Sequence, residues 1–311
     1  MHVTGCHHLL SSHFLVSNTV ARATVAHLPV DHVLRRLLSP FLFRTTYVNN
    51  RALGALIPEN SLFHHATALE YEGVNQLFAI CASESHIWQP FPQFSRGFGL
   101  RLNLLARNGS FPLISDGLLL HQDIDELVSS WLSNAFLDDR RIEDAVTVAF
   151  YEELVNQTAH LAYKLPPLIN GRLTPGMLRD AITQFIWVVT GFHELVGSLS
   201  EYLVPTGSRL DGTHFRAPVH VPPGAAPADL EAMLVALSIL STTSLRMPKL
   251  RSELPNYFLA KDWQHKRWGE FQARLGVLQE RLSRANHVRT GGGLPPFVAF
   301  QPDLLDISIS L

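Results

Sequence analysis

His8-Leu9-Leu10-Ser11-Ser12-His13 places two imidazoles five positions apart in a segment whose apolar pattern is helical. In a regular α-helix five residues turn by about 500°, which leaves the two side chains about 140° apart around the axis. Widening the turn to an i to i+5 pattern brings such positions onto one face, and π-type turns occur mostly at functional sites. The spacing therefore predicts a π-type turn, with two unrelated histidines as the alternative interpretation.

A third histidine, His193, lies inside the most apolar helix that the sequence predicts. Thr174 and Pro175 are typical of an N-cap and a first helical turn, and apolar residues continue to about Tyr202, before Leu203-Val204-Pro205. A helix this apolar is expected near the middle of the protein. Burial favours the neutral imidazole, which is the form that binds a metal, although a hydrogen bond to a backbone carbonyl would also satisfy the ring.

Helical periodicity in the rest of the chain predicts a mainly α protein with one large domain. A Pro/Gly-rich ordered loop is expected from Pro205 to Pro227, and the final segment from Pro295 to Leu311 is extended in character. The further predicted helices run from Leu9 to about Leu38 (as one or two helices), Asp123 to Leu137, Ile142 to about Leu161, Asp229 to Leu240 and Asp262 to Asn286.

The composition favours a small-molecule partner. The 311 residues carry a formal net charge of -2, with 46% hydrophobic and 17% charged residues, so no basic excess points to nucleic acid. Cys6 and Cys81 are too few for a secreted disulfide scaffold, which makes a reducing compartment the default expectation. Neither a signal peptide nor a membrane-spanning apolar run is visible, and we therefore expect a cytoplasmic location.

Several stretches, in the same order along the chain, resemble the lipoxygenase family. The first histidine pair, with the histidine-containing stretch after it, is similar to the family signature of two ligand histidines separated by four residues. Later stretches are similar to the helix that follows, to the second ligand helix and to the C-terminal tail. The matching stretches are His8 to His13, His27-Leu28-Pro29-Val30-Asp31-His32, Leu37-Leu38-Ser39-Pro40, Tyr47-Val48-Asn49-Asn50-Arg51-Ala52-Leu53, Trp187 to His193, and Ile307-Ser308-Ile309-Ser310-Leu311.

The resemblance implies a large helical, iron-binding catalytic domain over residues 1–311. It implies a non-haem iron dioxygenase that inserts O2 into a polyunsaturated fatty acid to give a lipid hydroperoxide. Carried over to this sequence, His8, His13 and His193 are imidazole ligands and the α-carboxylate of Leu311 is an oxygen ligand. Iron is the implied metal and manganese the alternative.

Two further positions bear on the substrate. Ala52 matches a position where the family tends to have alanine in enzymes that make S hydroperoxides and glycine in those that make R products. Arg216 resembles an arginine that meets a fatty-acid carboxylate, with Arg209 or a plain surface role as alternatives. Transient contact with a membrane surface stays open for a lipid substrate.

Two departures from the family pattern favour a rival interpretation. Gly197 stands four positions after His193, where the family usually has asparagine, histidine or serine as a weak further ligand; water, Glu194 or Ser198 could compensate. The chain also begins close before the first ligand motif, so an N-terminally truncated domain without the family's β-barrel domain is expected. The rival is a catalytically inactive or incomplete lipoxygenase-like protein that binds metal or lipid without turnover. A zinc hydrolase fits less well, because its i, i+4 histidine pair with a glutamate is absent.

Overall fold

The computed structural model describes residues 2–59, 61, 71–97, 111–136, 142–197, 247–255 and 258–309. Helices dominate these ranges, which contain isolated β-bridges and no β-strand. The prediction of a mainly α protein is confirmed. In chain order the helices are an N-terminal π-helix (His2–Asn18), α1 (Thr19–His27), α2 (Val33–Leu38), a 3-10 helix (Ser39–Leu42), α3 (Thr45–Leu56), α4 (Tyr71–Ser83), α5 (Phe91–Gly97), α6 (Pro112–Ala135), α7 (Ala145–Thr158), α8 (Pro175–Trp187), a second π-helix (Val188–Phe192), α9 (His193–Val196) and α10 (Asp262–Gly291).

The N-terminal π-helix confirms the predicted widened turn and extends it over 17 residues. Two serine hydroxyls follow the same spacing. Ser11 Oγ donates to the Cys6 carbonyl at 2.8 Å, and Ser12 Oγ donates to the His7 carbonyl at 3.1 Å. Because each bond joins residues five apart, these side chains support the i to i+5 pattern that the backbone adopts.

The central helix begins where the sequence predicts it. Thr174 Oγ1 accepts a hydrogen bond from the Met177 N–H at 3.2 Å, which satisfies one of the free donors of the first turn of α8. The helix is buried along its second half and passes directly into the second π-helix, which periodicity did not reveal. Gly191 permits this close packing, because a Cβ atom there would lie 2.7 Å from the ring of Trp187.

The predicted continuation of this helix to Tyr202 is wrong. α9 ends at Val196, and Gly197 has φ +75° and ψ 160°. This conformation is open to glycine and strained for other residues, so the chain leaves the helix there although apolar residues follow. The apolar pattern could not show this end, since the hydrophobicity of a stretch does not report its backbone angles.

α8 is buried along its second half and packs against α6, which packs against α10. The N-terminal π-helix packs against α3, α4 and the second π-helix. Several predicted boundaries are displaced; for example, α6 begins at Pro112 rather than Asp123 and α10 continues to Gly291 rather than Asn286. None of the described helices is long and apolar enough to cross a membrane. The loop and helix predicted between residues 205 and 240 lie outside the described residues.

The final segment has no regular strand, and its described end is buried. The Lys249 ammonium lies 2.6 Å from an Asp306 carboxylate oxygen, and the Leu250 N–H donates to the Leu305 carbonyl at 2.8 Å. Further on, Ser308 Oγ donates to the Phe41 carbonyl at 2.8 Å in the interior. These contacts lead the chain from the surface into the core.

The two cysteines are joined to each other. The disulfide Cys6–Cys81 connects the N-terminal π-helix to α4 across 75 positions of sequence, with 5.9 Å between the two Cα atoms. The low cysteine number, which favoured a protein without a disulfide scaffold, gives no indication of this single bridge. The bridge lies two residues from His8, beside the candidate metal ligands.

Candidate metal centre

Three histidines from two separate segments meet in the interior. His13 Nε2 lies 3.2 Å from His8 Nε2 and 3.3 Å from His193 Nε2. One ligand atom from each ring lies within 4.8 Å of the others. The residues are at most 2% exposed, so the cluster is shielded from solvent. The structure therefore brings together the three histidines that the sequence singles out.

The two π-helices direct the three rings towards one point. In the N-terminal π-helix the ring centroids of His8 and His13 lie 4.9 Å apart, although a regular α-helix would turn these side chains well away from each other. The second π-helix ends immediately before His193, whose ring centroid lies 4.6 Å from that of His8 and 5.3 Å from that of His13. Both segments are thus widened next to the cluster, where π-type turns are commonly found.

Asn49 on α3 orients His13 through two hydrogen bonds. Its side-chain Nδ2 donates to the His13 carbonyl at 3.1 Å, which leaves Oδ1 as the acceptor facing His13 Nδ1 at 3.0 Å. An acceptor at this place requires the ring hydrogen on Nδ1. His13 Nε2 therefore presents a lone pair to the other two histidines, as a metal ligand must.

Asn49 is the site residue that sequence reasoning missed. It occurs in the sequence only as part of the stretch that resembles the family's next helix. Asn49 is 2% exposed, and Val48 and Ala52 on the same helix are 1% and 0% exposed. A polar amide on the buried face of an amphipathic helix needs hydrogen-bond partners, and this was the available signal.

His8 is neutral in this environment. Burial lowers its pKa well below the usual range, and the neighbouring His193 and His13 lower it further. The main chain of Gly197 opposes this lowering, and among the described residues none is hydrogen-bonded to His8 Nδ1. The neutral ring keeps a lone pair for a ligand.

The spacing of the Nε2 atoms fits one bound metal ion better than hydrogen bonds between rings. His13 carries its hydrogen on Nδ1, so its Nε2 offers a single lone pair, and hydrogen bonds to both neighbouring rings would require two N–H donors to share it. Two nitrogens held at about 2.1 Å from one ion lie about 3.0 to 3.4 Å apart in ordinary six- or four-coordinate sites. Three imidazoles without a thiolate suit a divalent first-row ion, and Cys6 is excluded as a ligand because it is bonded to Cys81.

Comparison with known proteins adds sequence and structural relatives to this geometry. No family model matches the chain. Among curated proteins it is similar to Lipoxygenase 6, chloroplastic, of Arabidopsis thaliana, with 24% identity over 341 residues. The match covers 95% of this chain and 36% of that protein. The chain therefore spans about a third of the length of this curated relative.

Solved structures match it over nearly its full length. A calcium-dependent 11R-lipoxygenase superposes with a TM-score of 0.75 and 17% identity, over 100% of this chain and 46% of that chain. Coral 8R-lipoxygenase superposes with a TM-score of 0.74 and 15% identity, over 98% and 47%. The chain has the lipoxygenase fold. A lipoxygenase in complex with arachidonate also matches, with a TM-score of 0.70 and 16% identity, over 98% and 46%.

The lipoxygenase-like chain departs from the family pattern at Gly197 in conformation as well as in residue type. Its φ of +75° is unfavourable for any residue with a side chain. The asparagine, histidine or serine that the family usually has four positions after His193 would therefore need a different backbone here. Position 197 therefore offers no side-chain ligand, both because the residue is glycine and because its backbone conformation disfavours a side chain.

Of the other predicted site residues, the structure describes Ala52 and leaves several outside the described ranges. Ala52 is buried on α3, three residues after Asn49. Its role in stereochemistry stays a prediction. Other sequence candidates, namely Arg216 and its alternative Arg209, Leu311 with its terminal carboxylate, and Ser198, lie outside the described residues.

Proposed function

We propose that this lipoxygenase-like chain provides the metal centre of a non-haem iron dioxygenase, which adds O2 to a polyunsaturated fatty acid and yields a lipid hydroperoxide. The observation that carries the proposal is the buried triad of Nε2 atoms of His8, His13 and His193. These three imidazoles would hold iron, with manganese as the alternative, and the Leu311 carboxylate is the proposed oxygen ligand. Similarity to lipoxygenases over almost the whole chain supports this choice.

The chain's own residues would place and shield the reacting groups. Iron would supply the one-electron redox chemistry that lets an unsaturated lipid react with O2. Asn49 holds the His13 ring in one tautomer and one orientation. Leu9 and Val189, both 0% exposed, contribute to the apolar packing of the two π-helices that carry or precede the ligands. Such a site excludes water, which would otherwise screen the charges and react with intermediates.

The proposed substrate and stereochemistry rest on two single residues, Arg216 and Ala52. Arg216 is proposed to pair with the fatty-acid carboxylate, since a guanidinium suits a planar anion. Ala52 is proposed to favour S hydroperoxides. We further propose a cytoplasmic location with transient contact at membrane surfaces, where a fatty acid is taken up.

The test is to purify the chain, load it anaerobically with Fe²⁺ or Mn²⁺, and measure bound metal together with conjugated-diene absorbance from linoleate. We expect one equivalent of metal and diene formation in the wild type, and the loss of both in His193→Ala. His160→Ala is the matched control, because it removes an exposed imidazole outside the triad and should keep both properties. A wild type that binds no metal would overturn the proposal.

A metal- or lipid-binding protein without turnover is the second candidate function. The observation that favours it is the positive φ of Gly197. A residue with a side chain would be strained in this conformation, so the further ligand that the family usually has at this position cannot be supplied without a different backbone. An altered ligand set changes the redox potential of the metal and with it the capacity for O2 chemistry. Stoichiometric metal without diene formation in the experiment above would select this candidate.

A further inference from the structure

Residues 81–88, which comprise the end of α4 and the segment after it, run along the N-terminal π-helix and are called the brace. At one end of the brace Cys81 is bonded to Cys6. At the other end Trp88 Nε1 donates to the Leu15 carbonyl at 3.2 Å. The brace residues 81 to 88 follow the same direction as residues 6 to 15. The two attachments therefore lie on either side of the stretch that carries His8 and His13.

The Trp88 end of the brace is also attached to other parts of the protein. Gln184 on α8 donates from Nε2 to the Ile87 carbonyl at 2.7 Å and accepts at Oε1 from the Phe91 N–H at 3.2 Å. The Ser85 carbonyl accepts from the Tyr163 N–H at 3.1 Å. These bonds do not depend on the disulfide, so this end of the brace stays in place when the disulfide is broken.

The Cys6 end lies beside His8, one of the three proposed ligands. Cys6 is 1% exposed and stands two residues before His8, whose Nδ1 makes no hydrogen bond of acceptable geometry with a described residue. His13, by contrast, is oriented by Asn49. Breaking the disulfide would therefore loosen His8 more than His13. Cys81 is partly exposed, which makes it the cysteine of the pair that a reductant can approach.

We propose that the Cys6–Cys81 disulfide is a redox-sensitive cross-link that controls metal retention: when intact it holds His8 in place, and its reduction by a dithiol lets the bound metal leave faster. This inference rests on the proposed metal function of the three histidines. It assigns a means of regulation to the same site, through residues that are not ligands.

The reduction balances as ordinary thiol–disulfide exchange. A thiolate of the dithiol bonds to the Cys81 sulfur, the S–S bond of the protein breaks, and Cys6 leaves as a thiolate that takes up a proton. The second thiol of the reductant then displaces Cys81 in the same way. The protein disulfide gains two electrons and two protons, and the dithiol becomes a disulfide.

The experiment compares iron release from three forms of the protein. These are the wild type purified without reductant, the wild type reduced with dithiothreitol that is removed anaerobically, and the double variant C6S/C81S. Each is loaded with Fe²⁺, and release to an iron-chelating dye is timed. We expect at least fivefold faster release from the reduced protein and from the double variant. Ser83→Ala, an exposed change on α4 that leaves the disulfide intact, should release iron at the rate of the oxidised wild type.

Hydrogen–deuterium exchange supplies a readout that is independent of iron. Exchange over residues 6–13 should rise when the disulfide is reduced, while exchange over α2 should not change. Equal release rates and equal exchange in oxidised and reduced protein would overturn the inference alone, as would free thiols in peptide maps of the protein purified without reductant. A wild type that binds no iron would overturn the proposed function, and with it the regulatory role of the disulfide, whatever the exchange shows. If C6S/C81S does not fold, the chemically reduced wild type decides the question.

Discussion

The two halves of the metal centre are positioned by different kinds of contact. The N-terminal half, with His8 and His13, depends on individual polar and covalent partners, namely the Asn49 amide and the Cys6–Cys81 disulfide. The central half brings His193 to the site at the end of a long buried helix, in which packing sets the position. We therefore expect changes of single groups other than the ligands themselves to affect the first half more than the second half.

Removal of a ligand should have the largest effect, and it should be equal in both halves. Structural Zn²⁺ sites of four ligands bind their ion with about 10–16 kcal/mol, and Mn²⁺ and Fe²⁺ bind the same kinds of donor more weakly, so loss of one imidazole should cost up to about 3 kcal/mol, or about 100-fold in affinity. His8→Ala and His193→Ala should each weaken binding of Mn²⁺ or Fe²⁺ by about that factor in a chelator competition. If either variant stays within about threefold of the wild type, that histidine is not a ligand.

Loss of the Asn49 amide should have the next largest effect, because it acts on His13 alone. Asn49→Ala is expected to weaken metal binding by about 10- to 100-fold, the usual range for a residue that orients a ligand. Asn49→Asp should restore much of the affinity, since a carboxylate oxygen can accept the His13 Nδ1 hydrogen. Asn50→Ala, an exposed neighbour, is the control. An Asn49→Ala variant with unchanged affinity would show that the Asn49 hydrogen bonds do not position His13 for metal binding.

His121, which lies beside the central helix, should make the stability of the protein sensitive to acid. It lies on α6, with its ring centroid 5.9 Å from that of Trp187, and burial lowers its pKa to about 4 while Asp180 opposes the shift. Between that value and the unfolded value near 6.5 the unfolded chain binds more protons, so stability falls as the pH falls. The difference should reach about 2 kcal/mol at pH 5. Urea unfolding of His121→Leu at pH 5 and pH 7.5 should show a smaller loss of stability than the wild type; an equal loss would contradict the assignment.

Thr174→Ala should have the smallest effect, and on stability only. The Thr174 hydroxyl caps α8, and removal of such a cap costs about 1 kcal/mol of the free energy of unfolding. Affinity for metal should not change, since the cap lies at the far end of α8 from His193. Thr174→Ser should keep the stability of the wild type. A clear loss of metal in Thr174→Ala would mean that the start of α8 controls the site more directly than packing implies.

The sequence predicted helix features correctly where they depend on residues that are close together along the chain. The Thr174-Pro175 start was correct because capping depends on neighbouring residues alone. The five-residue spacing of His8 and His13 indicated a π-type turn correctly, because two rings at that spacing share a face only when the turn is widened. The helix end at Gly197 was missed, because glycine permits a conformation without requiring it. The second π-helix was missed as well, since no ligand pair marks it.

By itself the sequence determined the mainly α class and the buried helix that begins at Thr174, because these follow from periodicity and capping along the chain. The spacing of His8 and His13 indicated a widened turn, and the resemblance to lipoxygenases singled out these two histidines and His193 as candidate ligands. Only the tertiary structure decided that Asn49 faces His13 and that Cys6 meets Cys81, 75 positions away. The physical reason is that periodicity reports which face of a helix is buried, whereas partners on other helices depend on how those faces pack together.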